Sequence, residues 1–127
     1  KLQASESSIT QLSIARIFSV YSLSMRDHFL AAGLIRRAKN KDFSAIPGLE
    51  KVRDFLPTEL VMKELIYLAE SETFPPIVNI CSGIGVKIKD LGLQIFKSFG
   101  LEKEFHLIKN MDSSSPDEIV GVKREFK

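Results

Sequence analysis

Apolar residues recur along the chain with two different periods, which predicts strands that alternate with helices. β-Branched and aromatic residues are enriched in residues 12–21, "LSIARIFSVY", which predicts a largely buried strand. Shorter apolar runs predict four further strands, at residues 52–56, 77–80, 104–108 and 118–122. A polar loop, "NMDSSSPDE", precedes the last of them. Alternating strands and helices are typical of an α/β fold built in layers.

Three segments place apolar side chains at steps of three and four residues and are predicted to be amphipathic helices: residues 28–39, 58–70 and 88–99. Asp27 is available to cap the first helix and Thr58 the second. Two prolines follow the second helix, and Gly100 is expected to end the third. The strands are too few for a complete doubly wound domain, which suggests that the chain is a fragment of a larger one.

The turn "CSGIG" at residues 81–85 joins a predicted strand to a predicted helix, the position that phosphate-binding loops occupy. Ile88 stands where a dinucleotide loop needs its third glycine, and no Gly-Lys-Ser/Thr follows for a Walker loop. The spacing therefore favours a tight strand-to-helix turn. The loop also resembles the S-adenosylmethionine loop of methyltransferases, although Asn79 replaces the acidic residue usual there.

Charge and composition narrow the classes of function. The net charge is only +2, from 18 basic and 16 acidic residues, so nothing favours a nucleic-acid partner. The basic residues at 36–41 are expected to form the solvated face of a helix. The single cysteine, Cys81, and the two separated histidines, His28 and His106, do not have the spacing of a metal site. A single cysteine also excludes an internal disulfide, which fits a reducing compartment, by default the cytoplasm. No apolar run is long enough to predict a membrane span.

"RDF" at residues 53–55 is the strongest candidate for ligand contact among the short motifs. The guanidinium of Arg53 stays charged at any working pH and can donate two parallel hydrogen bonds to a phosphate. The adjacent Asp54 leaves a plain salt bridge as an equally good interpretation.

Three stretches in order resemble the NAD-dependent epimerase/dehydratase family, the extended short-chain dehydrogenases. They are "ARIFSVYS", "VRDFLPTELVMKELIYLAE" and "IVNICSGIGVKIKDLGLQIFKSFG". The similar family stretches are Arg-Leu-Phe-Asn-Val-Tyr-Gly, Arg-Asp-Phe-Val-Tyr-Val-Asp-Asp-Val-Ala, and Asn-Ile-Gly-Ser-Gly followed by a Val-Lys-Glu-Leu helix. The resemblance covers most of the chain.

The resemblance implies that this chain is the C-terminal portion of such an enzyme, with the last strands of a Rossmann-type sheet and a small α/β substrate-binding domain. The parent would bind NAD or NADP and a nucleotide-activated sugar, and would use hydride transfer for epimerisation, dehydration or reduction. No metal is implied. The family's N-terminal Gly-rich loop and catalytic tyrosine are not in these 127 residues, so the fragment by itself is expected to be inactive.

The resemblance also implies roles for five residues. Lys1 would be the lysine of the family's Tyr-x-x-x-Lys pair, which holds the nicotinamide ribose, and Phe18 would lie by the nicotinamide. Ser19 would contact the sugar nucleotide, Arg53 would bind its diphosphate, and Asp117 would lie near its ribose.

Four positions depart from the family pattern: Ser19 replaces Asn, Leu60 replaces the second Asp, Cys81 replaces Gly, and Ser114 stands where Arg is common. Two other classes of function remain open, a non-catalytic α/β interaction module and a methyltransferase fragment. A fragment of a larger domain is expected to expose strand edges and to self-associate as a homo-oligomer.

Overall fold

The computed structural model describes residues 11–22, 24–26 and 29–123, and these residues form eight strands and four helices. The strands are β1 (Ile14–Ile17), β2 (Ser19–Tyr21), β3 (Ile46–Pro47), β4 (Val52–Pro57), β5 (Ile77–Ile80), β6 (Gly85–Lys87), β7 (Asn110–Met111) and β8 (Glu118–Ile119). The helices are α1 (Leu30–Lys39), α2 (Thr58–Glu70), α3 (Ile88–Ser98) and α4 (Glu102–Phe105). The predicted α/β class is confirmed. Within the described ranges, no helix is both long and apolar enough to cross a bilayer.

The longest strand, β4, is the centre of a four-stranded sheet. Strand β2 pairs with its last residues in parallel, so that Ser19 lies beside Phe55. Strands β6 and β8 pair with its first residues, β6 antiparallel and β8 parallel. Arg53 has a neighbour on each of these two strands and is therefore flanked on both sides. Two smaller parallel sheets pair β1 with β5 and β3 with β7.

Two apolar clusters pack against opposite faces of β4. The first joins α1, α3, α4 and the loop before β4, and its buried members are Leu34, Ala38, Ile46, Leu49, Ile88, Phe96, Phe105 and Ile108. Phe55 packs against this cluster. The second consists of Leu56, Val61 and Ile80, with partly buried residues of β1, β2 and α2 around it. Because neighbouring residues of a strand point to opposite faces, Phe55 and Leu56 mark the two faces of the sheet.

The predicted strand at residues 12–21 is two strands. The chain leaves β1 at Phe18, whose N–H donates to the carbonyl oxygen of Ile80 at 3.1 Å, and then joins a different sheet as β2. The prediction that this segment is largely buried is also wrong, because Ile14 and Ile17 are 53% and 45% exposed. The apolar composition that predicted burial leaves an exposed apolar surface instead.

The three long helices form as predicted, with corrections at their starts. The cap predicted for α1, Asp27, lies outside the described residues, and Phe29 is the residue that precedes the helix. Thr58 does not cap α2, because its hydroxyl donates to the carbonyl oxygen of Tyr21 at 3.1 Å and so ties the helix to β2. Gly100 follows α3 with a φ of 72°, as expected for a glycine that ends a helix.

The strand predicted at residues 104–108 is wrong, because the chain there forms α4 and a turn. Phe105 and Ile108 are both buried in the first cluster, whereas His106 and Leu107 are exposed. Burial at a three-residue step is the helical spacing, and the Phe105 ring lies 5.1 Å from that of Phe96. The contact with α3 therefore decides the local structure.

Candidate functional site

Strand alternation places three candidate side chains on one face of the four-stranded sheet. Arg53 and Phe55 share this face of β4, and Ser19 lies beside Phe55 in the parallel register of β2. Residues two apart on a strand are about 6.6 Å apart along the chain. Asp54, by contrast, points to the opposite face. The site predicted around Arg53 and the site predicted around Ser19 are therefore adjacent parts of one surface.

The guanidinium of Arg53 is held by neutral oxygen atoms. Its Nη1 donates to the carbonyl oxygen of Val52 at 2.7 Å, and its Nη2 donates to Oγ of Ser115 at 3.0 Å. Ser115 Oγ in turn lies 2.9 Å from Ser113 Oγ. Arg53 does not pair with Asp54 on the opposite face, so the salt-bridge interpretation of "RDF" is wrong. Among the described residues, no carboxylate forms a salt bridge with this half-buried, oriented guanidinium, which is therefore suited to bind a phosphate.

Asp54 is fully buried, at 0% exposure, and it organises the turn at residues 81–85. Its Oδ1 accepts hydrogen bonds from the N–H and the hydroxyl of Ser82, at 2.8 and 2.6 Å. Its Oδ2 accepts from the N–H groups of Gly83 and Gly121, at 2.8 and 3.1 Å. A phosphate would need those same turn N–H groups, and the carboxylate charge would repel it. The turn is therefore a structural corner and not a phosphate cradle.

Phe18 and Ser19 line an open cavity of about 330 Å³. The other walls come from neighbouring residues of β1 and β2, from the start of α1 and from Phe55. The cavity is mostly apolar, and Ser19 contributes a hydroxyl group to its lining. It has the size and chemistry of a cleft for a ring-shaped group with a few polar substituents.

Asp117 lies just before β8, and its carbonyl oxygen accepts a hydrogen bond from the N–H of Val52 at 2.7 Å. Its carboxylate Oδ1 is 2.6 Å from Nζ of Lys51. The hydrogen bond from Lys51 lowers the pKa of Asp117, and the positive charge of Arg53 adds to the effect. Asp117 and Lys51 both line a second open cavity, of about 360 Å³, together with Gly48 and Ser113.

Four of the five residues predicted as a site thus lie on or beside the four-stranded sheet: Phe18, Ser19, Arg53 and Asp117. Lys1 lies outside the described residues. The sequence reasoning did not select Lys51 or Ser115. Lys51 stands two residues before Arg53, and the two-residue period of a strand was a signal that could have identified it.

Cys81 is buried, and burial raises the pKa of its thiol. A buried thiol that resists deprotonation is a poor nucleophile. Within the ranges described, no group of His, Cys, Asp and Glu side chains is arranged to hold a metal ion.

The sequence matches no protein-family model and no curated protein. Solved structures of NAD-dependent epimerases and dehydratases share its fold, as the resemblance predicted. RMD from Pseudomonas aeruginosa, solved with NADPH, has a TM-score of 0.71 at 19% identity, over 85% of this chain and 38% of that one. UDP-glucose 4-epimerase from Thermotoga maritima, solved with UDP-glucose, has a TM-score of 0.71 at 20% identity, over 85% of this chain and 36% of that one.

A third structure of this fold is the dTDP-glucose 4,6-dehydratase from Bacillus anthracis, solved with NAD. Its TM-score is 0.69 at 15% identity, over 84% of this chain and 34% of that one. The chain thus spans little more than a third of the length of these neighbours. At such identities the likeness establishes the fold alone, which is the fold of part of these epimerases and dehydratases.

Proposed function

We propose that this chain is the C-terminal, mainly substrate-binding portion of an NAD- or NADP-dependent enzyme that epimerises, dehydrates or reduces a nucleotide-activated sugar. The observation that carries the proposal is the oriented guanidinium of Arg53, on the sheet face that it shares with Ser19 and Phe55. A cationic group beside an open cleft fits a ligand that joins a diphosphate to a sugar. The shared fold supports the same class, since its neighbours include an epimerase with UDP-glucose and a dehydratase with NAD.

The proposed roles place the two ends of the ligand at the two cavities, and Arg53, which lines neither, lies between them on β4. Arg53 binds the diphosphate, Ser19 contacts the sugar part, and Asp117 lies near the nucleotide ribose. Phe18 would contact the nicotinamide end of the cofactor, whose hydride chemistry belongs to the cofactor itself. The turn at residues 81–85 does not form a site for the dinucleotide pyrophosphate, because its N–H groups at Ser82 and Gly83 already bind Asp54. We therefore expect the 127-residue chain alone to bind sugar nucleotides weakly and to lack catalytic activity.

Replacing Arg53 with alanine is expected to weaken sugar-nucleotide binding by about 10- to 100-fold, because a charge-assisted hydrogen bond to phosphate is lost. The dissociation constants can be measured by NMR titration with UDP-, GDP- and dTDP-sugars, with S-adenosylmethionine as a comparison ligand. Arg53→Lys should retain part of the affinity, because it keeps the charge and loses the planar fork.

Lys63→Ala is the matched control, since Lys63 is exposed on α2, which packs against the opposite face of β4. Equal affinity in Arg53→Ala and the unchanged chain would disprove the diphosphate role of Arg53. Binding of S-adenosylmethionine alone would support the methyltransferase alternative. Binding of none of these ligands would favour a non-catalytic interaction module.

We further propose that the chain self-associates through the two-stranded sheet of β1 and β5. Ile14 and Ile77 lie side by side in this parallel pair and are 53% and 42% exposed. Parallel strands are normally covered on both faces, so this surface favours binding of a second copy of the chain.

Sedimentation velocity should show a dimer or larger species, and Ile14→Lys should reduce its amount. Leu107→Lys, at an exposed residue outside this sheet, should leave it unchanged, and a chain that stays monomeric at all concentrations would contradict the proposal.

A further inference from the structure

Lys51 and Arg53 reach the same loop from neighbouring positions on the chain. The ammonium group of Lys51 binds the carboxylate of Asp117, and the guanidinium of Arg53 binds the hydroxyl of Ser115, two residues earlier. The two side chains therefore leave the start of β4 in the same direction. Each positive charge lies close enough to Asp117 to lower the pKa of that carboxyl group.

The two side chains of the Lys51–Asp117 pair differ greatly in their exposure to solvent. The Lys51 side chain is 17% exposed, whereas that of Asp117 is 97% exposed. The stem of Lys51 packs so closely on Gly48 that a Cβ at Gly48 would lie 3.0 Å from Cγ of Lys51. Lys51 is therefore a fixed cation, and its carboxylate partner is a solvated group that an anion can replace at little cost.

The space around this cation is open. The wall of the cavity of about 360 Å³ includes Gly48, Lys51, Ser113 and Asp117. It also includes two further carboxylates, Asp112 and Glu50, of which Glu50 is paired with Lys87 and Lys89. Ser113 also connects the cavity to Arg53, through the contact of its Oγ with that of Ser115. An anionic ligand in this cavity would thus meet Lys51 directly and Arg53 at the end of a two-serine chain.

We propose that Lys51 is a second anion-binding residue of the site and that it acts with Arg53 on the diphosphate group of the ligand. When the ligand enters, a phosphate oxygen replaces the Asp117 carboxylate on Nζ of Lys51. The released carboxylate is then free to accept a hydrogen bond from a ligand hydroxyl. The identity of the ligand as a nucleoside diphosphate derivative rests on the proposed function, whereas the anion-binding role of Lys51 rests on the geometry.

Lys51→Met is expected to weaken the binding of nucleoside diphosphates and of inorganic diphosphate about tenfold, because one charge-assisted hydrogen bond is lost. Titrations followed by NMR with UDP, GDP, dTDP and inorganic diphosphate measure the effect, and the spectra verify that each variant is folded. Lys51→Arg should bind nearly as the unchanged chain does. Lys97→Met is the matched control, because Lys97 is exposed in the last turn of α3 and does not line this cavity.

A second comparison separates contact with the ligand from support of Asp117. In an Asp117→Asn background, Lys51→Met should still weaken diphosphate binding by a similar factor. If the substitution has no effect there, Lys51 acts only through Asp117 and the inference is wrong. Uridine has no phosphate, so its affinity for the Lys51→Met variant should equal its affinity for the unchanged chain.

The inference and the proposed function can fail separately. If Arg53→Ala loses nucleoside diphosphate binding and Lys51→Met does not, Lys51 is not part of the site and the proposed function stands. If inorganic diphosphate binds in a Lys51-dependent way and no nucleoside diphosphate binds better, Lys51 is an anion site and the proposed function is wrong. If neither inorganic diphosphate nor any nucleoside diphosphate binds, both are wrong.

Discussion

Replacing Asp54 with alanine is expected to lower the free energy of unfolding by about 3–5 kcal/mol, a large part of the stability of a domain of this size. The carboxylate accepts hydrogen bonds from Ser82, Gly83 and Gly121, and alanine would leave their backbone N–H groups without an acceptor. A buried donor that loses its partner costs about 1–3 kcal/mol, and here the bond from Gly121 is buried and those from Ser82 and Gly83 are part-buried. Urea denaturation followed by circular dichroism measures the loss.

The size of this effect comes from the three segments that Asp54 joins. It lies on β4, Ser82 and Gly83 belong to the turn after β5, and Gly121 follows β8. Asp54→Asn should cost less than Asp54→Ala, because the amide keeps one acceptor oxygen. Asp112→Ala, at an exposed loop position, is the control and should leave the urea midpoint unchanged. If Asp54→Ala changed the urea midpoint as little as Asp112→Ala does, water or a movement of the backbone would be replacing the carboxylate as the hydrogen-bond partner.

The same carboxylate should make stability depend on pH in the acid range. Burial raises the pKa of Asp54, but the hydrogen bonds from Ser82, Gly83 and Gly121 outweigh it and hold the pKa below its ordinary value. The unfolded chain then binds a proton more readily than the folded one. The stabilising contribution of the ionised Asp54 carboxylate is present above about pH 4. It is lost as the pH falls through the pKa that Asp54 has in the folded state. The stability difference between the unchanged chain and Asp54→Asn should therefore shrink on acidification.

The sequence pattern predicted the elements whose own periodicity is strong. Helices α2 and α3 and strand β5 lie where the apolar spacing placed them, and the resemblance to the epimerase/dehydratase family identified the fold. The pattern failed where distant contacts decide the structure. Residues 104–108 form the end of α4 and a turn because Phe105 packs on Phe96. Residues 12–21 divide because their first part pairs with β5 and their last part with β4.

The candidate site shows the same division between local and distant causes. The ligand-binding role predicted for Arg53 stays a prediction, and strand alternation would have ruled out its pairing with Asp54. The four-donor site of Asp54 could not be predicted, because its donors lie 28 to 67 residues away along the chain. The roles of Phe18, Ser19 and Asp117 in ligand binding remain predictions.

Gly121→Ala is expected to destabilise the chain by about 2–3 kcal/mol, because its Cβ has no space. That atom would lie 2.5 Å from Cβ of Cys81, closer still to its Sγ, and 3.1 Å from Cζ of Phe18. The backbone after β8 would have to move away from the turn, which would also lengthen the 3.1 Å hydrogen bond from Gly121 to Asp54. Thermal and urea unfolding measure the cost.

The contact of Gly121 with Cys81 accounts for the glycine at residue 121. Since Cys81 fills the space beside Gly121, Cys81→Gly should partly rescue Gly121→Ala, with an interaction free energy of at least about 1 kcal/mol in a double-mutant cycle. Cys81→Ala removes Sγ and keeps the Cβ at 2.5 Å, so it should rescue less. Strict additivity of the two substitutions would mean that the strain at Gly121 is relieved elsewhere, and the close packing of residues 81 and 121 would then not explain the glycine.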